Sequence, residues 1–383
     1  MPPNAALSPA TSSYFLLTKV NPEENRARQP SRSLTHRWLK NMNEFTMIGP
    51  LSITRRRFLQ RASVTSAAIA ALPSSLSAAL YPAKRRPVIL TTDIGDDIDD
   101  TWALGFLLKC PELDLKLVVG DYGKSKYRAK LLAKFLQAVS HDQIPVGLGL
   151  DIEPHGDGPQ KAWIEGYDLR SYRGKVHENG VQAIIDTIMQ SPEPVTLIDI
   201  APTPNVAAAL AREPRIAERA RFVGMYGSIR MGYDRSSKYS AEWNVKAAPQ
   251  ACQKVFAAPW DVTITPLDTC GLVSLQGERY RKIRESRDPI ASAVIENYRI
   301  WNKGSGGKPE AAEEYSSTLF DTVAVYLAFS QDLCKMERLG LRVTDDGFTL
   351  IDPKAKPVNA AISWQSLDGF RDLLVDRLVA PEA

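Results

Sequence analysis

One stretch constrains the fold more than any other. The apolar run Pro87 to Leu90 leads into Asp93-Ile94-Gly95-Asp96-Asp97-Ile98-Asp99-Asp100, and a helix-period segment follows without a break. Five of these eight residues are Asp. Carboxylates packed this densely in a partly buried turn repel one another and take up protons unless a cation compensates them. Capping of a helix N-terminus accounts for one or two acids at such a place, not five. Oxygen donors without a nearby His or Cys favour a hard cation, Ca²⁺ or Mg²⁺, over zinc. The spacing is not that of an EF-hand, because a strand stands where the entering helix belongs and the Gly and terminal Glu are misplaced.

The text downstream repeats the strand-then-helix order. Leu113 to Val119, Ile144 to Gly147, Val195 to Ile200 and Phe222 to Met225 read as strands; Asp99 to Cys110, Tyr127 to Val139, Gly180 to Met189 and Asn205 to Arg212 read as helices. Such alternation predicts an α/β fold, a single domain over residues 86 to 383 with a mainly parallel central sheet flanked by helices. Polar or Gly-rich stretches at Asp151 to Lys175, Gly227 to Lys238 and Lys303 to Glu313 interrupt it. Ligands of open α/β sheets bind at loops past the carboxyl ends of strands, which is where the Asp cluster falls.

Charge separates a leader from this body. Residues 1 to 86 hold 13 Lys/Arg and three acids, so the remaining 35 basic and 41 acidic residues give the body a net charge of −6 despite +4 for the whole chain. An acidic body without a Lys/Arg stripe excludes nucleic acid as a partner. Within residues 1 to 85, Thr54-Arg55-Arg56-Arg57-Phe58-Leu59-Gln60 reads as a twin-arginine export motif. The weakly apolar run Ala62 to Leu72, Pro73 and the small residues Ser77-Ala78-Ala79 follow it. The run is too short and too polar for a stable membrane anchor, so the expected destination is the periplasm or the medium. Cys110, Cys252, Cys270 and Cys334 are widely spaced, which points to separate buried thiols.

The run Val88-Ile89-Leu90-Thr91-Thr92-Asp93-Ile94-Gly95-Asp96-Asp97-Ile98-Asp99-Asp100-Thr101-Trp102-Ala103-Leu104 resembles the amino-terminal signature of the inosine-uridine preferring nucleoside hydrolases. Ala201-Pro202-Thr203-Pro204-Asn205-Val206 is similar to that family's central loop, Ala241-Glu242-Trp243-Asn244 to its substrate segment, and Leu319-Phe320-Asp321-Thr322 to its late Asp motif. The resemblance implies hydrolysis of the N-glycosidic bond of a ribonucleoside or related riboside, with a single Ca²⁺ held by the carboxylates of Asp93, Asp100 and Asp321 and the carbonyl of Ile200. It also implies Asp93 as the base that activates water and Asp99 facing the ribose 2-hydroxyl. Two residues beyond the shortest family pattern separate Asp93 from the Asp-Asp pair, so Asp97 competes with Asp99 for the sugar. Glu242 and Asn244 would hold ribose hydroxyls, Asn205 would be structural or near the site, and the assembly implied is a homodimer or a homotetramer.

Three positions depart from the family pattern. Thr91 stands where Asp is usual, Lys124 near a usual Asn, and Phe320 where purine-active members carry His, which leaves the departing base without its proton donor. His155, in Glu153-Pro154-His155-Gly156-Asp157-Gly158, is the one histidine nominated to replace it. Trp163, Tyr226, Trp243 and Tyr315 could stack on a base or pack in the core. An Asp-Asp-x-x-Asp diphosphate site would need Asp96 to Asp100 inside a helix. A protein of the same fold that binds a sugar through Ca²⁺ without cleaving it is the alternative that Phe320 and Lys124 keep open.

Overall fold

The structure, a computed structural model, describes residues 84–152 and 156–381. The leader motif and His155 lie outside them. Strand β1 (Arg86–Thr92) is buried from Val88 onward because both of its faces are covered. Successive side chains of a strand point to opposite faces, so Val88 and Leu90 enter one hydrophobic core and Ile89 the other. Val118 and its neighbours Leu117 and Val119 in β2 (Leu113–Gly120) divide in the same way.

Eight more strands complete the sheet: β3 (Val146–Gly147), β4 (Val176–His177), β5 (Val195–Asp199), β6 (Ala220–Met225), β7 (Val262–Thr265), β8 (Cys334–Val343), β9 (Thr349–Ile351) and β10 (Pro357–Trp364). Their order is β4-β3-β2-β1-β5-β6-β7-β10-β8-β9. Every pairing from β4 through β7 to β10 is parallel, and only β10 with β8 and β8 with β9 run antiparallel. The expected α/β sheet is therefore present, with an antiparallel margin the reading had not reached. The expected strand from Ile144 shortens to Val146–Gly147, since Ile144 N–H closes a turn onto His141 and Pro145 has no N–H to offer a ladder.

Helices α1 (Asp99–Leu108), α2 (Ser125–Ala138), α3 (Gly180–Gln190) and α4 (Pro204–Arg212) connect the first strands. Farther along lie α5 (Trp243–Ala247), α6 (Pro249–Ala257), α7 (Pro289–Gly304), α8 (Thr322–Leu327) and α9 (Leu367–Val379). One face of the sheet is covered by α1, α2, α7, α8 and α9, and the other by α3, α4 and α6. All four cysteines are free and buried. Among the described residues, no helix is long and apolar enough to cross a membrane.

From β1 the chain winds outward through β2, β3 and β4, then returns to the other flank of β1 at β5 and winds the opposite way. That reversal opens a crevice at the carboxyl ends of β1 and β5, the usual ligand position of doubly wound sheets. Asp93 follows the end of β1 and Ile200 the end of β5.

Candidate active site

The Asp-rich turn runs from Asp93 to Ile98, and α1 begins at Asp99, so Asp96 and Asp97 precede the helix. This removes the diphosphate-site reading. Gly95 makes the turn possible: its φ is +103°, and a Cβ there would lie 2.4 Å from Cε1 of Tyr127 and 2.5 Å from Cδ1 of Leu131. Arg128 of α2, fully buried, grips the turn from below. Its guanidinium donates to the carbonyls of Asp93, Ile94 (3.0 Å), Gly123 (3.0 Å) and Tyr122 (3.1 Å) and to Oδ2 of Asp96 (2.8 Å). Asp96 also pairs with Lys124. Asp97, half-buried, accepts the N–H of Ile98 at 2.7 Å. Asp96 is thus spent on the turn itself, and Asp97 gives it one oxygen.

The remaining acids turn inward. Oxygens of Asp99, Asp100 and Asp321 lie within 4.8 Å of one another, all three residues buried. Asp321 occupies the N-cap position of α8, yet its side chain caps nothing, so a capping role does not explain it. Burial raises the pKa of each well above the ordinary carboxylate range, and the neighbouring acids add to it: Asp97 for Asp99, Asp93 and then Asp99 for Asp100, and Asp99 and then Asp100 for Asp321. Few protein donors oppose this. Thr92 donates its hydroxyl to Asp100, and the Asp321 N–H reaches Asp99 at 3.3 Å.

Asp93 stands outside the group of three but acts on all of it through charge. Burial raises its own pKa to about 7, against the pull of Arg128. Ile200 is 1% exposed; its N–H donates to Thr91, while its carbonyl oxygen accepts no hydrogen bond from a described residue. Mutually repelling buried carboxylates, with an orphan carbonyl at the end of the adjacent strand β5, are oxygen donors of the kind a hard divalent cation takes, and the residues fit one.

Glu242 and Asn244 bracket the start of α5. Glu242 is its N-cap and accepts N–H groups from Asn244 (2.8 Å), Val245 (3.3 Å) and Gly227 (2.9 Å), yet burial still lifts its pKa to about 7. Asn244 donates to the Met225 carbonyl at 3.1 Å. Asn205 is committed to structure: it donates to the Gly120 carbonyl and accepts from Leu150, each at 2.9 Å. Trp163 packs on Phe135, and Tyr226 is fully buried with its hydroxyl on the Ala201 carbonyl; both belong to the core. Trp243 is 50% and Tyr315 37% exposed. Trp243 meets Tyr122 edge-on at 6.3 Å.

Two residues absent from the sequence reading shape this site. Arg128 falls on the apolar face of α2 with Leu131, Leu132 and Phe135, and a cation on such a face was the available signal. Tyr233, whose hydroxyl accepts the backbone N–H of Trp243 at 2.9 Å, left no comparable signal.

A mainly parallel sheet with buried carboxylates converging at its switch point defines an α/β protein with a ligand site at the strand ends. The family model of the inosine-uridine preferring nucleoside hydrolases matches residues 88–369, and the chain belongs to that family, whose members cleave N-glycosidic bonds. The non-specific ribonucleoside hydrolase RihC of Klebsiella pneumoniae is 30% identical over 237 residues, 58% of this chain and 75% of that one. A probable uridine nucleosidase of rice (Oryza sativa subsp. japonica) is 23% identical over 311 residues, 76% and 91% of the two chains. Among solved structures, a plant nucleoside hydrolase superposes with a TM-score of 0.67 at 20% identity over 78% of this chain and 100% of its own. The purine-preferring ribonucleoside hydrolase from Gardnerella vaginalis gives 0.63 at 21% identity over 77% and 98%. These superpositions establish the fold.

Proposed function

We propose that this enzyme hydrolyses the N-glycosidic bond of a ribonucleoside or closely related riboside, releasing base and ribose, with one Ca²⁺ resident at the Asp cluster. The convergence of Asp99, Asp100 and Asp321 at the crevice between β1 and β5 carries this reading. Asp93, Asp100, Asp321 and the Ile200 carbonyl would hold the cation, which when bound supplies charge that acidifies water and orients vicinal sugar hydroxyls. The bond breaks through an oxocarbenium-like state, and carboxylates around the ring stabilise its positive charge. Asp93 takes the proton of the attacking water. Asp99 faces the ribose 2-hydroxyl, with Asp97 next to it on the turn, while Glu242 and Asn244 hold the other hydroxyls. Ribonucleosides as substrates are supported by the names of the Klebsiella and rice relatives.

Incubation with a panel of purine and pyrimidine nucleosides, reading reducing sugar with and without chelator, tests the proposal. Release that stops with chelator and returns with Ca²⁺ is expected. Full activity of metal-free protein, or no release from any nucleoside in the presence of Ca²⁺, would overturn it. Export by the twin-arginine route is proposed alongside, on the motif at Thr54 to Gln60. Replacing Arg55 and Arg56 by Lys should hold the protein in the cytoplasm of a Gram-negative host, and unchanged export of that variant removes the claim.

A further inference from the structure

A base that leaves ribose carries away the electron pair of the broken bond, and a proton delivered to it lowers the barrier. Phe320, half-buried next to Asp321, has no proton to give. Its ring instead supports Tyr233, which meets it edge-on with centroids 6.3 Å apart and planes at 80°. The hydroxyl of Tyr233 accepts the backbone N–H of Trp243 at 2.9 Å, and Trp243 lies between Glu242 and Asn244. Tyr233 therefore bridges the residue before Asp321 and the residue after Glu242 while remaining 37% exposed.

The loop between β6 and α5 is built to keep the ring there. Gly232 N–H donates to Ser236 at 2.9 Å, Ser236 N–H to Tyr233 at 3.0 Å, and Ser240 N–H to the Ser228 hydroxyl at 2.8 Å. The Asp268 carboxylate accepts the N–H groups of Ile229 (2.9 Å) and Arg230 (2.8 Å). Asp234 and Arg235, which follow Tyr233, have φ of 54° and 60°, a left-handed backbone kept in residues with a Cβ only where the surroundings impose it. Because the hydroxyl accepts from Trp243, its own proton points elsewhere, and no described residue accepts it. Burial first, then Glu242, and more weakly Cys270 and Asp97, hold the phenol above its ordinary pKa against the Trp243 N–H, so it keeps its proton at neutral pH.

We infer that Tyr233 is the proton donor to the leaving base. The inference rests on the hydrolase reading above. The C1′–N bond breaks with its electrons on nitrogen, the phenolic proton passes to the base, and water adds its hydroxyl to C1′. The remaining proton of that water goes to Asp93 and returns to the phenolate through solvent.

The test compares Tyr233→Phe with the unaltered enzyme on a natural nucleoside and on p-nitrophenyl riboside, whose nitrophenolate departs without a proton. A fall in kcat/KM of about 10²–10⁴-fold on the nucleoside, with the nitrophenyl riboside cleaved as before, is expected. That retained rate also certifies the fold. Equal falls on both substrates, or an undiminished nucleoside rate, overturn the assignment. Placing 3,5-difluorotyrosine at position 233 gives a second readout that leaves the fold intact. The more acidic phenol should move the basic limb of the nucleoside pH profile downward, and an unmoved limb counts against Tyr233. If the unaltered enzyme cleaves neither substrate, the hydrolase reading fails first.

Discussion

Two groups of buried acids lie at neighbouring strand ends, and they do different things with their oxygens. Asp121, after β2, accepts N–H groups from Tyr122 (2.7 Å) and Asn205 (3.1 and 3.2 Å), so it fastens the start of α4 to the end of β2. Asp199, the last residue of β5, accepts from Ala201 at 3.3 Å. Burial raises both pKa values, Asp199 to about 6 and Asp121 well above the ordinary range with Asp199 adding to it. By pKa alone this pair looks as functional as Asp99, Asp100 and Asp321. The difference is in arrangement: Asp121 gives its oxygens to backbone N–H groups of Tyr122 and of Asn205 at the start of α4, whereas Asp99, Asp100 and Asp321 bring one oxygen each within 4.8 Å of the others. A raised pKa reports burial; carboxylates from separate elements gathered round one point report a ligand.

Variants can break this contrast. The largest effect is expected from Asp321→Ala or Asp100→Ala, which should lose the metal, by elemental analysis, and activity on the order of 10³-fold or more. Asp99→Ala should keep the metal and lose catalysis. Metal lost with Asp99 and kept with Asp93→Ala would move Asp99 into the ligand set in place of Asp93.

Arg128→Met comes next. It strips donors from Asp96 and from the carbonyls of the turn, and should cost about 3–5 kcal/mol in urea unfolding. Asp121→Asn should cost less, about 1–3 kcal/mol, because one of its acceptor oxygens becomes a donor. Its metal content should stay normal. Loss of metal in Asp121→Asn would erase the distinction between the two groups.

The smallest effect is a pH dependence. A carboxyl whose pKa is higher in the folded than in the unfolded state favours folding while protonated, and this contribution is lost as pH rises from the unfolded value through the folded one. For Asp93 and Glu242 that window closes near pH 7. Metal-free protein should therefore melt at a lower temperature at pH 8 than at pH 5, and Ca²⁺ should narrow the gap. An equal gap with and without the cation would separate these acids from metal binding.

The parallel half of the fold was legible because its signals are local. β1 is a continuous apolar run with both faces covered, and the helix after it starts where the Asp-Asp pair indicated. Past Met225 the signal fades. In β8 exposed and half-buried residues outnumber buried ones, and its place is set by antiparallel pairing with β10 and not by its own pattern. At the site, the density of Asp announced the cluster, but nothing local shows that Asp96 is consumed by Lys124 and Arg128. Arg128 itself was missed because a charged residue in an amphipathic helix is ordinarily read as solvent-facing. Trp163 and Tyr226 carry the same letters whether they stack on a ligand or fill a core.

The hydrogen bond from Asp321 N–H to Asp99 joins residues 222 positions apart. Two of the three clustered carboxylates are thus available from the first residues of α1, while the third arrives only when α8 has docked against α1. Contacts of such separation are costly to close, since chain entropy is lost before they form. A divalent ion recognising the completed cluster would bind the native chain and not the unfolded one, stabilising it by an amount that grows with the logarithm of free ion concentration. The ion would then serve as a buckle on the finished chain, and the level of divalent ion around the protein would set how stable it is.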